Sequence, residues 1–430
     1  MLELNKIHNM DCKEGLKLLD DNSIDSIVTD PPYELGFMNK KWDKSGISYD
    51  VEMWKECFRV LKPGGYLLSF GGTRTYHRMV CAIEDAGFII HPMIAWIFGT
   101  GFPKATDLSL QLDKQACRKE LTDELGRKPT NEEFGRAWEE YRKVVGKSPY
   151  SANRSNSDIG YNGTGHNEPE RLITAPATDA AKQWDGWYYG LQSLKPAIEP
   201  ICMAQKPIDG KRMTDNVRKW GVGAIHVDEC RVGTDMITSL PSSNKENHHY
   251  AQGEWTKSNS IGKKRTYEGR FPANIILDEE AAAMLDGQSG ISQSKKSMRG
   301  VGLSNSGVYG KGDLNFDTKR GHNDFGGASR FFYCAKASKK ERGEGNNHPT
   351  VKPIKLIEYL VKLITPPDGI SLDPFMGSGT HALVCKKLNR NYIGFEISKE
   401  YCDIAEKRIE SSSEDSKSEN KNGDQITIWY

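Results

Sequence analysis

The segment Asp30-Pro31-Pro32-Tyr33, which follows a short apolar run, combines three groups that could bind and activate a planar amine. A carboxylate can accept one N–H of an exocyclic amino group, and a backbone carbonyl can accept the other. The two prolines hold such carbonyls in a fixed orientation, and the tyrosine ring offers a face on which a base can stack. These contacts would localise a nitrogen lone pair that is otherwise delocalised into the ring. We therefore predict that Asp30, Pro31, Pro32 and Tyr33 form a catalytic pocket for an amino-bearing base.

A second motif, far downstream, predicts a binding site for a nucleotide-like cofactor. A strand, a glycine turn, a helix and a second strand that ends in Glu396 follow one another there. Gly377 and Gly379 would let the backbone turn sharply and approach a ligand closely. A carboxylate at the end of the second strand can accept hydrogen bonds from both hydroxyl groups of a ribose. The predicted cofactor-binding residues of this motif are Asp373, Phe375, Gly377, Ser378, Gly379, Thr380 and Glu396.

Together the two motifs favour transfer of a methyl group to a DNA base. A nicotinamide dinucleotide would use a similar layout, and Ala382, at the position of its third glycine, does not exclude it. Hydride transfer, however, has no use for the segment from Asp30 to Tyr33. That segment could also simply end a strand, but we place it at the carboxyl edge of a parallel strand, where such sheets bind ligands.

The composition is that of an ordinary soluble protein, because 37% of the 430 residues are hydrophobic and 27% are charged. A chain of this length predicts two or three domains, or one core with large insertions. Since neither a signal peptide nor an apolar run of membrane-spanning length is recognisable, we expect a cytoplasmic protein without a membrane partner. Nine scattered cysteines without a C-x-x-C pair argue against zinc and disulfide bonds, and we expect no metal requirement.

The distribution of charge is more informative than the formal net charge of +1. Between Lys295 and Arg342 the sequence has eleven lysines and arginines against four acidic residues. A local excess of this kind can neutralise the phosphates of DNA. A solvated loop surface would account for the same composition equally well.

Strand-like and helix-like segments alternate at both ends of the chain, which predicts a parallel sheet covered by helices. The predicted strands are 26–30, 66–70, 89–98, 197–204, 369–373 and 392–396. The predicted helices are 51–61, 76–86, 354–364 and 380–388. On this pattern we divide the chain, in order, into the catalytic half of the core (1–106), a charged helical and loop insertion (107–186), a return to the core (187–207), a target-recognition region that contacts DNA (208–330), the cofactor half of the core (331–410) and a disordered tail (411–430).

The chain resembles the beta class of amino-methylating DNA methyltransferases, in which the catalytic motif precedes the cofactor motif. The resemblance rests on Asp30 to Tyr33, on Asp373 to Thr380 and on His348-Pro349-Thr350-Val351-Lys352-Pro353. It covers roughly residues 1–105, 190–207 and 330–410. It implies an α/β fold with a doubly wound, mostly parallel seven-stranded sheet, large polar insertions, and S-adenosylmethionine as the cofactor.

The resemblance also implies a reaction, namely site-specific methylation of double-stranded DNA with the target base flipped out of the duplex. Members with Asp at the first position of the catalytic motif usually modify adenine N6, whereas Ser there usually marks cytosine N4. Asp30 therefore favours adenine N6, and cytosine N4 is the alternative. Trp96 would help to shape the base pocket, although a tryptophan in the core is the more common finding.

Carried over to this chain, the family pattern implies further contacts to the cofactor. Phe375, Gly377 and Gly379 would surround its methionine part, as would the segment with Thr350 and Lys352. Glu396 would hold the ribose. Asp11 resembles the family's contact to the cofactor adenine.

Three other questions stay open at the level of the sequence. Methylases of protein glutamine or ribosomal RNA share the chemistry, but they usually carry the cofactor loop upstream of an Asn-Pro-Pro-Tyr motif. A DNA-binding module without catalysis is disfavoured by the intact Asp30 and glycines. The resemblance leaves room for a homodimer and for a paired restriction endonuclease.

Overall fold

A computed structural model describes residues 2–36, 41–101, 103–147, 172–239, 247–251, 254–258, 265–294, 297–298, 319–320, 322–335 and 351–419. It contains two compact units, which we call the core unit (Met1–Thr100 with Ala197–Tyr430) and the inserted unit (Gly101–Pro196). No helix in the described part of the chain is both long and apolar enough to cross a bilayer.

The strands of the described residues are β1 (Lys6–Asn9), β2 (Ile24–Thr29), β3 (Leu61–Phe70), β4 (Ile89–Ile90), β5 (Ile94–Ile97), β6 (Thr106–Asp107), β7 (Lys143–Lys147), β8 (Leu172–Ala175), β9 (Tyr188–Tyr189), β10 (Ile198–Gln205), β11 (Val232–Ser239), β12 (Asn247–Ala251), β13 (Glu254–Ser258), β14 (Arg265–Arg270), β15 (Ile275–Leu277), β16 (Ser292–Gln293), β17 (Ser297–Met298), β18 (Lys319–Arg320), β19 (Phe325–Gly326), β20 (Tyr333–Cys334), β21 (Ile370–Asp373) and β22 (Asn391–Glu396). The helices are α1 (Cys12–Lys17), α2 (Val51–Val60), α3 (Tyr76–Asp85), α4 (Leu108–Leu125), α5 (Asn131–Tyr141), α6 (Asp179–Gln183), α7 (Met213–Trp220), α8 (Glu279–Ser289), α9 (Ile354–Ile364), α10 (Thr380–Lys387) and α11 (Lys399–Glu419).

The core unit is built on a sheet in the order β1-β22-β21-β2-β3-β10-β5-β15-β20, with β4 paired to β10. Strand β10 runs antiparallel to β3, β4 and β5, and the other pairs of the sheet are parallel. The predicted α/β fold with a mostly parallel sheet is therefore confirmed. The sheet has ten described strands rather than seven, because short strands such as β4, β15 and β20 extend it.

Apolar side chains on both faces of the sheet explain why helices cover it on both sides. Along β2 and β3, neighbouring residues alternate between two cores, with Ile27 and Leu67 in one and Val28 and Leu68 in the other. The alternation follows from the two-residue period of a strand. Helices α1, α2 and α3 contribute to the first core, and α9, α10 and α11 contribute to the second.

The inserted unit contains the helices that the charged sequence predicted. Thr130 and Glu133 form a reciprocal capping box that starts α5. The Arg118 guanidinium of α4 lies 4.2 Å from the centre of the Phe134 ring of α5. The Asp113 carboxylate accepts hydrogen bonds from the backbone and hydroxyl of Thr178, which caps α6. Contacts inside the unit thus fasten its three helices to one another.

Two expectations about the architecture need correction. Residues 208–330 were expected to be separate from the core, yet β15 lies in the central sheet, where Ile276 and Leu277 are buried. A three-residue apolar strand is too short for its periodicity to identify it. The tail 411–430 was expected to be disordered, yet α11 continues to Glu419, because extending an existing helix is far easier than starting one. Residues 420–430 lie outside the described part of the chain.

Candidate active site

The two sequence motifs meet because their strands are neighbours in the sheet. Strands β2 and β21 pair in parallel, with Ser26 opposite Ser371 and Ile27 opposite Leu372. Their carboxyl ends therefore lie side by side. The Thr29 hydroxyl, at the end of β2, donates a hydrogen bond of 2.6 Å to the Asp373 carboxylate at the end of β21. Asp30 follows directly, so the catalytic motif and the cofactor motif share one edge of the sheet.

The backbone of the catalytic motif is held by hydroxyl groups from two other segments. The Ser48 hydroxyl donates to the carbonyl of Pro32, and the Thr75 hydroxyl donates to the carbonyl of Tyr33 over 2.8 Å. Pro31, between Asp30 and Pro32, is buried. The geometry of this segment is thus determined by prolines and by contacts that do not use the Asp30 side chain.

The Asp30 carboxylate belongs to a cluster that we call the amine pocket and that consists of Asp30, Tyr33, Glu199 and Lys352. The Lys352 ammonium lies 2.7 Å from Oδ2 of Asp30 and 3.3 Å from Oε2 of Glu199. The hydroxyl of Tyr33 donates a hydrogen bond of 3.1 Å to Glu199. The other oxygen of Asp30, Oδ1, is buried and has no hydrogen-bond partner among the described residues.

The charges in the amine pocket determine its protonation. Burial lowers the pKa of Lys352, but the carboxylates of Asp30 and Glu199 outweigh burial, and the pKa lies above its ordinary value. Burial and the same two carboxylates raise the pKa of Tyr33 well above its ordinary value. Lys352 therefore stays an ammonium, and Tyr33 stays a neutral hydrogen-bond donor.

Trp96, which the resemblance suggested for the base pocket, lies on the strand that pairs with that of Glu199. It lies opposite Glu199 in the antiparallel pair of β5 and β10, so the two side chains point to the same face of the sheet. Its indole Nε1 is buried without a hydrogen-bond partner in the described part of the chain. Its ring centre is 5.3 Å from that of Phe98. A role in base binding stays a prediction.

The cofactor loop, residues 373–380, has the backbone that its glycines predicted. Gly377 and Gly379 have φ values of 54° and 79°, which side chains with a Cβ rarely adopt. A Cβ at Gly379 would lie only 2.6 Å from Cβ of Ala405 in α11. The loop therefore turns sharply while packing closely on α11.

Glu396 connects the end of β22 to this loop through backbone amides. Its Oε2 accepts the N–H of Gly377 over 2.9 Å, and its Oε1 accepts the N–H of Ser398 over 2.8 Å. Burial raises the pKa of Glu396, although these two amides lower it in part. A carboxylate has about four acceptor positions, so both oxygens can still accept hydrogen bonds from a ligand.

Asp373 is the most strongly perturbed carboxyl group of the site. Burial raises its pKa to about 7, and hydrogen bonds from the Thr29 hydroxyl and the Phe375 amide offset only part of that effect. Phe375 itself packs against the apolar core on the side of α1 to α3. Near neutral pH, both the protonated and the ionised form of the Asp373 carboxyl group are therefore populated.

The remaining predicted cofactor residues have other contacts in the structure. The hydroxyls of Ser378 and Thr380 accept hydrogen bonds from Arg408 of α11, which fasten the start of α10. Asp11 caps α1 by accepting the N–H of Lys13 over 2.8 Å. It lies two residues beyond Asn9, whose amide donates to the carbonyl of Glu396. Asp11 therefore sits near the end of β22, and its contact to a cofactor stays a prediction.

Some predicted residues fall outside the described part of the chain. Thr350 is one of them, together with His348 and Pro349. Most of the basic stretch between Lys295 and Arg342 also lies outside the described residues, so its contact with phosphates stays a prediction. The described residues contain no group of three or more side chains suited to hold a metal ion.

Sequence reasoning missed Glu199 and gave Lys352 a different neighbour. Glu199 is an acidic residue in the mostly apolar strand β10, directly before Pro200. A charged residue in a buried strand is uncommon unless it is paired, and that was the available signal. Lys352 was assigned to the methionine end of a cofactor, and the structure places its ammonium on Asp30.

Comparison with known proteins gives matches that run through most of the chain. A family model described as DNA methylase, of the N6/N4 type, matches residues 24–407. The type II methyltransferase M.HindIII of Haemophilus influenzae is 22% identical over 94% of this chain and 94% of its own length. M2.DpnII of Streptococcus pneumoniae, also a type II methyltransferase, is 38% identical, but the match spans only 23% of this chain and 37% of that relative.

Among solved structures, the complex of M1.HpyAVI with SAM aligns over 94% of this chain and 98% of its own. The sequence identity is 16% and the TM-score is 0.36. The cytosine-N4-specific PvuII DNA methyltransferase aligns over 94% of this chain and 87% of its own, with 14% identity and a TM-score of 0.38.

Proposed function

Because this chain belongs to the DNA methylase family, whose model matches residues 24–407, we propose that it methylates an amino group of a base in double-stranded DNA. We propose S-adenosylmethionine as the methyl donor and adenine N6 as the acceptor, with cytosine N4 as the alternative. The hydrogen bond of 2.6 Å between Thr29 and Asp373 is the observation that carries this proposal. It joins the end of the strand before Asp30 to the cofactor loop.

The amine pocket supplies what a weakly nucleophilic amino group needs. Oδ1 of Asp30 is buried and unpartnered among the described residues, so it can accept one N–H of the target base. The carbonyl of Pro31 would accept the other N–H, and both contacts would localise the nitrogen lone pair. The Tyr33 ring would stack on the base, a contact worth roughly 1–3 kcal/mol. Flipping the base into this pocket costs a few kcal/mol in lost stacking and pairing.

The cofactor loop fits S-adenosylmethionine through backbone and carboxylate groups. Gly377 and Gly379 keep side chains out of the turn, so that a ligand can approach the backbone. Glu396, at the end of β22, has acceptor positions left for the two hydroxyls of a ribose. When bound, S-adenosylmethionine supplies a methyl group on a positively charged sulfur. The residues of the loop and of the amine pocket then need only align the nitrogen with that carbon.

The acceptor base is the finer part of the proposal. Asp30 at the first position of the motif supports adenine N6, following the family resemblance. The relatives M.HindIII and M2.DpnII are type II methyltransferases, which supports a place for this protein in restriction-modification beside an endonuclease. Contact of DNA with residues 208–330 and a homodimer both remain predictions.

The test is to incubate the protein with S-adenosylmethionine labelled in the methyl group and with DNA from a strain that lacks methylases. The DNA is then digested to nucleosides and separated. We expect the label in N6-methyl-2′-deoxyadenosine, and label in N4-methyl-2′-deoxycytidine would transfer the proposal to the alternative. A well-folded protein that binds the cofactor but labels no DNA would contradict the proposed function.

A further inference from the structure

The Lys352 ammonium is the centre of the amine pocket. It lies 2.7 Å from Oδ2 of Asp30, 3.1 Å from the Tyr33 hydroxyl and 3.3 Å from Oε2 of Glu199. It also lies 4.9 Å from the centre of the Phe70 ring. Only 10% of the Lys352 side chain is exposed. Its partners lie at the ends of β2, β3 and β10. These contacts fix the position of the Lys352 ammonium.

The two oxygens of Asp30 have different surroundings. Oδ2 carries the ion pair with Lys352, whereas Oδ1 is buried and has no hydrogen-bond partner in the described residues. Buried acceptors are normally satisfied, so one that is left free inside a site calls for an explanation. The explanation that uses both oxygens is that Oδ2 fixes the orientation of the carboxylate and Oδ1 accepts from a ligand.

Glu199 provides a second carboxylate for the ammonium. It projects from the antiparallel strand β10 and contacts Lys352 and the Tyr33 hydroxyl with the same oxygen, Oε2. One carboxylate therefore positions both the ammonium and the aromatic residue of the catalytic motif. Neither contact uses Oδ1 of Asp30.

We propose that Lys352 and Glu199 are positioning residues, such that Glu199 holds the ammonium and the ammonium presents Oδ1 of Asp30 to the target amino group. This inference rests on the proposed function and deepens it. A base that binds to Oδ1 breaks no hydrogen bond of the described residues at that oxygen, so the ion pair between Lys352 and Oδ2 can persist. The alternative, in which the ammonium plugs the pocket and must leave, would make Lys352 an inhibitor of base binding.

The charge balance of the pocket gives the proposal a distinctive signature. Among the described residues, the charged or titratable groups that face Lys352 are Asp30, Glu199 and Tyr33, and Asp373 is influenced by the charge of Asp30. Without the ammonium, the carboxylates of Asp30 and Glu199 would face each other in a partly buried site with no counter-charge. The two negative charges would then repel each other, and acid would relieve that repulsion.

The experiment compares Lys352→Gln, Lys352→Arg and Glu199→Gln with the wild-type protein in methylation of DNA from a methylase-free strain. For Lys352→Gln we expect kcat to fall roughly 100-fold, as for other misplaced catalytic groups. We also expect the acid limb of its pH–rate profile to move to higher pH. Lys352→Arg keeps the charge and should restore part of the rate and the wild-type profile. Glu199→Gln should lower kcat less than Lys352→Gln does.

Controls separate this inference from folding and from the proposed function. Lys355→Gln removes an exposed lysine that pairs with Glu358 on α9, and it should leave both kcat and the profile unchanged. Cofactor affinity, measured by calorimetry, should stay within a factor of about two in all variants if they fold. A higher kcat or a lower KM for DNA in Lys352→Gln would identify the ammonium as a plug and overturn the proposal, and so would an unshifted profile. Absence of DNA methylation by the wild-type protein would instead overturn the proposed function.

Discussion

The cofactor loop and the amine pocket lie at the ends of adjacent strands, yet they are held by different kinds of contact. Around the cofactor loop, Glu396 accepts hydrogen bonds from the backbone amides of Gly377 and Ser398, which are 19 and 2 positions away in the sequence. In the amine pocket, charged side chains meet across separations of 322 positions for Lys352 and Asp30. One half of the site is local and built from backbone, whereas the other half is long-range and built from side chains.

This difference predicts that the two halves can be damaged separately. Backbone amides persist through most substitutions, so the cofactor half should fail only when its carboxylate or its glycines change. The amine pocket depends on individual side chains and should lose rate without losing cofactor.

The largest effect is expected for Asp30→Ala. It removes the acceptor for the target amino group, so methyl transfer to DNA should fall below detection, because amine binding and lone-pair localisation both depend on that carboxylate. Cofactor affinity, measured by calorimetry, should stay within a factor of about two. Asp85→Ala, at the exposed end of α3, is the matched control and should keep full activity. Near-normal turnover by Asp30→Ala would show that another group accepts the amine.

An intermediate effect is expected for Glu396→Gln. In contrast to Asp30→Ala, it should weaken cofactor binding and spare the rate of methyl transfer. The amide has one acceptor oxygen where the carboxylate has two, so the contacts to Gly377, Ser398 and a ribose cannot all be kept. A hydrogen bond to a charged group contributes about 1.5–3 kcal/mol, so the Kd for S-adenosylmethionine should rise roughly 10- to 100-fold.

At saturating cofactor, the rate of methyl transfer by Glu396→Gln should largely recover. Glu84→Gln, an exposed position on α3, serves as the matched control for the change of charge. An unchanged Kd would remove the ribose contact from the model of the cofactor half. A lower kcat at full saturation would mean that Glu396 also affects methyl transfer, so that the cofactor half and the amine pocket are not independent.

The smallest effect is expected for Asp373→Asn, where the two halves touch. The amide oxygen can still accept from Thr29 and Phe375, so the change mainly removes a titratable group. The folded protein keeps the Asp373 proton up to about pH 7, whereas the ordinary value is 3.8. Because the folded protein binds this proton more tightly than the unfolded chain, the free energy of unfolding falls as the pH rises from 3.8 to about 7. Below pH 3.8 both states carry the proton, and the group causes no such loss.

Thermal denaturation of Asp373→Asn and of the wild-type protein at several pH values checks that sign. The variant should gain Tm relative to the wild-type protein as the pH rises towards neutrality, and the two should be most alike at acid pH. Burial raises the pKa of Glu396 as well, so both proteins should keep some dependence of the same sign. A difference in Tm that does not vary with pH would contradict the raised pKa of Asp373.

The same division explains which parts of the site the sequence could predict. The strand, turn, helix and strand from Ile370 to Glu396 are adjacent in the chain, and local patterns located each of them. The catalytic motif was located because four consecutive residues carry its chemistry. Glu199 and Lys352 could not be joined to Asp30, because no local pattern states which distant side chains will share a pocket. Strand β15 was missed for a related reason, since three apolar residues carry no periodicity.

In the inserted unit, local sequence signals predict secondary structure but not function. The charged sequence of residues 107–146 predicted helix, and α4 and α5 lie in that range, with the Thr130 capping box at the start of α5. Nothing in those signals assigns a partner to the unit. A secondary structure can thus be predicted well in a region whose role is not.

The most direct test of the central claim is a crystal structure of the protein with S-adenosylmethionine or a stable analogue. A single site built from two distant motifs predicts the ribose hydroxyls within hydrogen-bond distance of Glu396 and the methyl group facing Oδ1 of Asp30. A cofactor bound away from the turn of Gly377, or a methyl group directed away from Asp30, would contradict it.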